Sequence, residues 1–114
     1  EMLSSKIHGA VLTKKEVNYH GSIGIDECLL KKADILPDEK VQVLNFNNGN
    51  RFETYVIKEQ FGSGIIALYG PAARLGEVGD RLCIISYIYV DENEAAFSKA
   101  RVVLVNEVNQ ADDF

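Results

Sequence analysis

Val41-Gln42-Val43-Leu44-Asn45-Phe46-Asn47-Asn48-Gly49-Asn50-Arg51-Phe52-Glu53-Thr54-Tyr55-Val56-Ile57 reads as two β-strands around a tight turn. Val41, Val43 and Asn45 alternate with Gln42, Leu44 and Phe46, the period of a strand with two unlike faces. Asn48-Gly49 is a strong hairpin signal, because both residue types tolerate a positive φ. The return strand is 51–57.

The segments on either side extend the same pattern. Downstream, Phe61-Gly62-Ser63-Gly64 is a loop and 65–69 another strand. Gly70-Pro71-Ala72-Ala73-Arg74 suits a single helical turn, with Pro71 at its start. A turn at 76–80 leads into the apolar run 82–90, a polar helical segment at 91–98 and a last strand at 102–105. The acidic tail beyond is expected to fray. Upstream, 7–12 is a short apolar strand, and Thr13 with Glu16 has capping-box spacing for one helical turn. Segment 17–25 is extended, with a centre poor in bulk. Asp26 suits an N-cap, and the helix after it puts Leu29, Leu30 and Ala33 on one face until Pro37-Asp38 ends it. Many short strands, regular turns and one real helix predict a mainly β fold, a small barrel that closes its own edges.

The 114 residues make one domain, 1–114, with a single core of modest size. With 46% hydrophobic and 25% charged residues, the composition is that of a soluble globular chain. No apolar run approaches the roughly 18 residues of a membrane helix, so no membrane partner is expected. No secretory signal is legible, and residue 1 is glutamate, so a short natural start is expected to precede it. A net charge of −5 repels a phosphate backbone, and Lys14-Lys15 and Lys31-Lys32 are too short to override that field. Nucleic acid is therefore excluded as a partner. Cys28 and Cys83 form no C-x-x-C and read as free thiols in a reducing cytoplasm. His8 and His20 lack metal-ligand spacing, so no metal site is expected.

There is no G-x-S-x-G elbow, no P-loop and no H-E-x-x-H in the chain. Two Gly-Ser pairs remain. Gly62-Ser63 lies in a glycine-rich loop and reads as a flexible turn. Gly21-Ser22 is flanked by bulky β residues, and a glycine inside a strand marks a bulge or a close backbone approach.

Around that second pair the chain resembles the bacterial aspartate 1-decarboxylase family. The matching pieces are Lys6-Ile7-His8, Tyr19-His20-Gly21-Ser22-Ile23-Gly24-Ile25-Asp26, Asn48-Gly49-Asn50-Arg51-Phe52-Glu53-Thr54-Tyr55, Gly70-Pro71-Ala72-Ala73 and Gly79-Asp80. They stand in the family's order and spacing from Met2 to about Val105. The resemblance implies a double-psi β-barrel of six or seven strands with short helices, assembled as a homotetramer with pockets between subunits. It implies self-cleavage between Gly21 and Ser22: the serine hydroxyl attacks the glycine carbonyl, an ester forms, and elimination and hydrolysis leave a pyruvoyl group at position 22. A glycine there leaves the carbonyl open to attack. The cofactor is thus made from Ser22, with no metal and no pyridoxal phosphate. Its ketone forms a Schiff base with the amine of L-aspartate and takes the electrons released with CO₂, giving β-alanine for pantothenate and coenzyme A synthesis.

The resemblance also distributes roles. Thr54 matches the oxyanion donor of the cleavage step. Arg51 matches the substrate-binding arginine, whose planar fork suits a carboxylate. Lys6 is the second cation, and Tyr55 the residue that returns a proton to the carbanion. Gly70, Pro71 and Ala72 match the loop that meets the substrate, and Tyr19 and His8 line the pocket. Taken singly, Arg51 reads as a solvated hairpin residue and Thr54 and Tyr55 as ordinary strand residues. An accessory maturation factor is compatible with this scheme.

Two positions depart from the family pattern. Leu44 stands where a tryptophan is common, a core replacement. Tyr69 stands where the family carries a pocket asparagine, before Gly70-Pro71 instead of Gly-Ala. A phenol cannot place a hydrogen bond where a short amide does, and Pro71 alters the path of the loop. Either the loop re-forms with the hydroxyl on a different partner, or a needed hydrogen bond is missing and cutting or decarboxylation slows. The sequence favours the second. Tyr69 is also the feature that keeps open a rival, an uncleaved pseudoenzyme or regulatory binding barrel.

Overall fold

The computed structural model describes residues 1–111 and is mainly β. Its strands are β1 (Met2–Val11), β2 (Lys14–Glu16), β3 (Ser22–Asp26), β4 (Lys40–Asn45), β5 (Arg51–Glu59), β6 (Ile66–Tyr69), β7 (Arg81–Ile88) and β8 (Arg101–Leu104). They bond side by side in the order β2-β6-β3-β5-β4-β7-β1-β8. Helix α1 (Glu27–Ala33), a 3₁₀ turn (Gly70–Leu75) and the short α2 (Glu92–Ala95) complete the order. The inward faces meet in one core that includes Ile7, Ile23, Val43, Val56, Leu68 and Ile84, each fully buried. Among the described residues, no helix is long and apolar enough to cross a membrane.

The hairpin forms as read, between antiparallel β4 and β5, with Val41, Val43 and Asn45 buried. Its loop is wider than a two-residue turn. Asn45 N–H donates to Asn50 O at 2.9 Å and only Gly49 has positive φ. Eight strands replace the expected six or seven, chiefly because 13–16 is not a helical turn. Thr13 spends its side chain on pairing instead of capping: its hydroxyl donates to Ile66 O and accepts from Ile66 N, both at 3.1 Å. β2 then runs parallel to β6. The extended stretch 17–25 is a strand only from Ser22 onward. The helix after Asp26 buries Leu29, Leu30 and Ala33 as expected, but a left-handed Asp34 (φ 56) ends it before Pro37 is reached. The tail is held as far as Ala111. Asn109, 2% exposed, donates to Val11 O and Gly64 O at 2.8 Å and accepts from Val11 N at 2.7 Å. The last acidic residues, 112–114, lie outside the described residues.

β3 is the strand around which the site is organised. It lies between antiparallel β6 and parallel β5 and is buried throughout. Asp26 closes it. One carboxylate oxygen accepts from Cys28 N and Gly62 N, the other from Gly64 N, all at 2.8 Å. A carboxylate that is 2% exposed survives burial because these N–H groups replace its water. Asp26→Ala orphans the start of α1 and the 61–64 loop together. Charge-assisted hydrogen bonds and a lost cap predict a destabilisation of about 3 kcal/mol, to be measured by urea unfolding against the parent chain.

Candidate active site at the Gly21–Ser22 peptide

Ser22 opens β3 with no solvent exposure. Its hydroxyl turns back along the chain and donates to His20 O at 3.3 Å. Gly21 is met by the 3₁₀ turn. Gly70 has φ +68, and a Cβ there would fall 2.7 Å from both Cα and N of Gly21 and 2.8 Å from Tyr19 O. Backbone thus packs on backbone, which only glycine permits. Pro71 Cδ stands 3.5 Å from where a Gly21 side chain would begin. The cleft beside this junction has a volume of about 480 Å³ and is lined by Gly21, Phe52, Thr54, Pro71, Ala72 and Arg74, among others.

Strand geometry settles which candidates share a face. Ile23 pairs with Val56, so one step back along the same ladder Ser22 and Tyr55 emerge together on the opposite, outer face. Thr54, one residue earlier, faces the Gly21 side and lines the cleft. Tyr55 is 38% exposed and free to meet a ligand.

Lys6, His8 and Arg51 lie elsewhere on the outer face. His8, Cys83, Leu44 and Arg51 form one row across β1, β7, β4 and β5, with Lys6 and Gln42 in the next row. His8 packs edge-on against Phe46 at 5.2 Å, and Arg51 Nη1 donates to Gln42 Oε1 at 3.0 Å. Burial pushes the Cys83 thiol pKa up against the pull of Lys6 and Arg51. Four residues of strand, about 13 Å, separate Arg51 from Tyr55. One copy of the chain therefore assembles the serine, threonine and tyrosines around the Gly21 peptide and leaves Lys6, His8 and Arg51 at a distance.

The Tyr69 hydroxyl has a partner of its own, the first of the two arrangements left open by the sequence. It pairs with Ser22 in the β3–β6 ladder, is 6% exposed, and donates its hydroxyl to Glu59 Oε2 at 2.7 Å. Burial and then Glu59 raise the phenol pKa, so the group stays protonated and its one proton is committed to Glu59. It is not available to an oxyanion at Gly21. Tyr19 packs on the Tyr69 ring at 5.0 Å, and Lys14 Nζ stands 5.6 Å from the ring centroid. The sequence reading missed Glu59 and Arg74. Neither carries a local signal, since each reaches the site only through strand pairing or the 3₁₀ turn.

The surroundings of Ser22 fit a small carbonyl group at that position. Neither Gly21 nor Gly70 brings a side chain of its own to the junction, and Thr54 lines the cleft beside it. Comparisons with known proteins identify the family. The family described as aspartate decarboxylase matches residues 1–112. A curated aspartate 1-decarboxylase of Thermoanaerobacter pseudethanolicus is 54% identical over 109 residues, covering 96% of this chain and 93% of the relative. That of Pelotomaculum thermopropionicum is 57% identical, over 96% and 83%. The Bacillus subtilis enzyme is 47% identical, over 97% and 87%. A crystal structure of a rationally designed double-psi β-barrel protein superimposes with a TM-score of 0.51 at 15% identity, covering 72% of this chain and 95% of the design, and supports the barrel architecture.

The tight backbone approach at Gly70 is open to a direct test. Gly70→Ala and Gly49→Ala both impose a left-handed alanine, but nothing lies within 4 Å of a Cβ at Gly49. The shared φ cost therefore cancels. The remaining overpacking predicts that Gly70→Ala is less stable than Gly49→Ala by about 2 kcal/mol, measured by thermal or urea unfolding.

Proposed function

This chain belongs to the aspartate decarboxylase family, and we propose that it converts L-aspartate to β-alanine and CO₂ after cutting itself between Gly21 and Ser22. The observation that carries the reading is Ser22 itself: a fully buried serine after a glycine, its hydroxyl turned back along the chain beside a cleft that Thr54 lines. In the cutting step Ser22 Oγ bonds to the Gly21 carbonyl carbon, the C–N bond breaks, and the hydroxyl proton passes to the freed nitrogen. The product is an ester. Loss of the residue-22 Cα proton and of the Gly21 carboxylate breaks it, and water then replaces the nitrogen, which leaves as ammonia. Thr54 is the donor to the oxyanion of the first step.

The resulting pyruvoyl group supplies the electrophile that takes the substrate amine and the electrons released with CO₂. The chain's own residues bind and protonate. Tyr55, exposed on the face it shares with Ser22, returns a proton to the carbon that loses its carboxylate. Gly70, Pro71 and Ala72 wall the cleft against the substrate. Arg51 and Lys6 bind the carboxylates, with His8 beside them. Because these three stand away from Ser22 within one copy, a neighbouring subunit of a homotetramer brings them to the cleft. Such an assembly also buries apolar residues that a single copy leaves exposed, among them Ile88 at 45% and Val102 at 52%. We assign the enzyme to the cytoplasm, where its product feeds pantothenate and coenzyme A synthesis.

Intact mass tests the cutting. The parent chain should give one piece ending at Gly21 and one beginning at position 22 that resists Edman chemistry. Ser22→Ala should stay whole, and cutting of that variant at the same bond would falsify the mechanism. Aspartate with cyanoborohydride should add covalently to the larger piece, and neither a chelator nor removal of pyridoxal phosphate should lower activity.

Arg51 is tested separately. Loss of a guanidinium–carboxylate contact predicts a fall in kcat/KM for aspartate of about ten- to a hundredfold in Arg51→Ala, with cutting unchanged. Turnover at the parent's rate would leave Arg51 as a hairpin residue.

A further inference from the structure

The Tyr69–Glu59 hydrogen bond runs over the top of β3. Tyr69 belongs to β6 and Glu59 to β5, and these two strands flank β3 on either side. The bond passes where β3 has no side chain: a Cβ on Gly24 would lie 2.1 Å from Glu59 Oε2. Gly24 is thus the gap that lets the carboxylate reach the phenol, two residues after the peptide to be cut. On the other side of that peptide, the Tyr69 ring packs on Tyr19 at 5.0 Å. The residue that follows Tyr69 is Gly70, whose backbone rests on Gly21.

We propose that Tyr69 and Glu59 are positioning residues for self-cleavage, a strap that binds β5 and β6 across β3 and so presses Gly70 onto the Gly21 peptide beside Ser22. The proposal deepens the function assigned above and rests on it. A buried phenol that donates to a carboxylate holds its ring in one place, because rotation would break a charge-assisted bond inside a site with little water. With the ring held, the Tyr69 backbone stays in register with Ser22, and Gly70 stays against Gly21. Without the strap, the end of β6 and the 3₁₀ turn can draw back from the scissile peptide. The Ser22 hydroxyl then spends less time in line with the carbonyl, and geometry of this kind is a large part of the barrier to an intramolecular attack. The strap touches no reacting atom and acts through the backbone alone.

The test follows cutting by intact mass in chains made by cell-free synthesis, alongside melting of each uncut chain in the Ser22→Ala background. Tyr69→Phe and Glu59→Ala should each slow cutting about tenfold, the scale of one charge-assisted hydrogen bond. The double variant should be no slower than either single one, because both remove the same bond. Glu59→Gln should cut within about twofold of the parent, since an amide oxygen accepts the same hydrogen bond. Every uncut variant should remain folded at the assay temperature, so that slow cutting reads the scissile junction and not unfolding. Parent-like cutting in Tyr69→Phe, slowing factors that multiply in the double variant, or a slow Glu59→Gln each overturns the strap while leaving the function intact. A parent chain that never cuts overturns both.

Discussion

The Asp26 carboxylate is the interaction on which the rest of the arrangement depends. Three backbone N–H groups from two segments converge on it, one from the first turn of α1 and two from the 61–64 loop. The buried charge demands partners, and meeting that demand fixes where β3 ends, where the helix begins and how the chain returns into β6. Since β6 pairs with β3 directly after this loop, the register that sets Tyr69 opposite Ser22 descends from the same carboxylate. The Gly21–Ser22 junction at one end of the strand is thereby positioned by a carboxylate at the other.

At that junction, missing side chains matter as much as present ones. Gly70 lets a second backbone lie against Gly21, and Gly24 leaves room for Glu59 to cross the strand. Each glycine gives up packing area and conformational restriction that a larger residue would supply. The neighbouring core residues Ile23, Ile25, Val56 and Leu68, all fully buried, offset that cost on the inner face.

The outer face divides its chemistry in two. Tyr55, Ser22 and Tyr69 cluster where β5, β3 and β6 adjoin, whereas Lys6, His8 and Arg51 follow the other flank of the sheet. Charges solvated on a barrel wall contribute little to stability. The proposed homotetramer is the arrangement that brings the two groups together.

What the sequence by itself determined is the local and the ordered. Alternation placed β4 and β5, Asp26 announced its helix, and the Gly21-Ser22 peptide with its ordered companions marked the family, because such signals lie within a few neighbouring residues or in a fixed succession of motifs. Its errors were of one kind. Thr13 was read as a cap and is a strand-pairing residue, since its partner Ile66 is 53 positions away. The tail was read as frayed, although Asn109 reaches Val11 across 98 positions. The partner of the Tyr69 hydroxyl was left open, because nothing near it in sequence names Glu59 as the acceptor or Gly24 as the opening between them. Only the tertiary structure decides such contacts, because strand order β6-β3-β5 is set by burial of the whole core and no short segment encodes it.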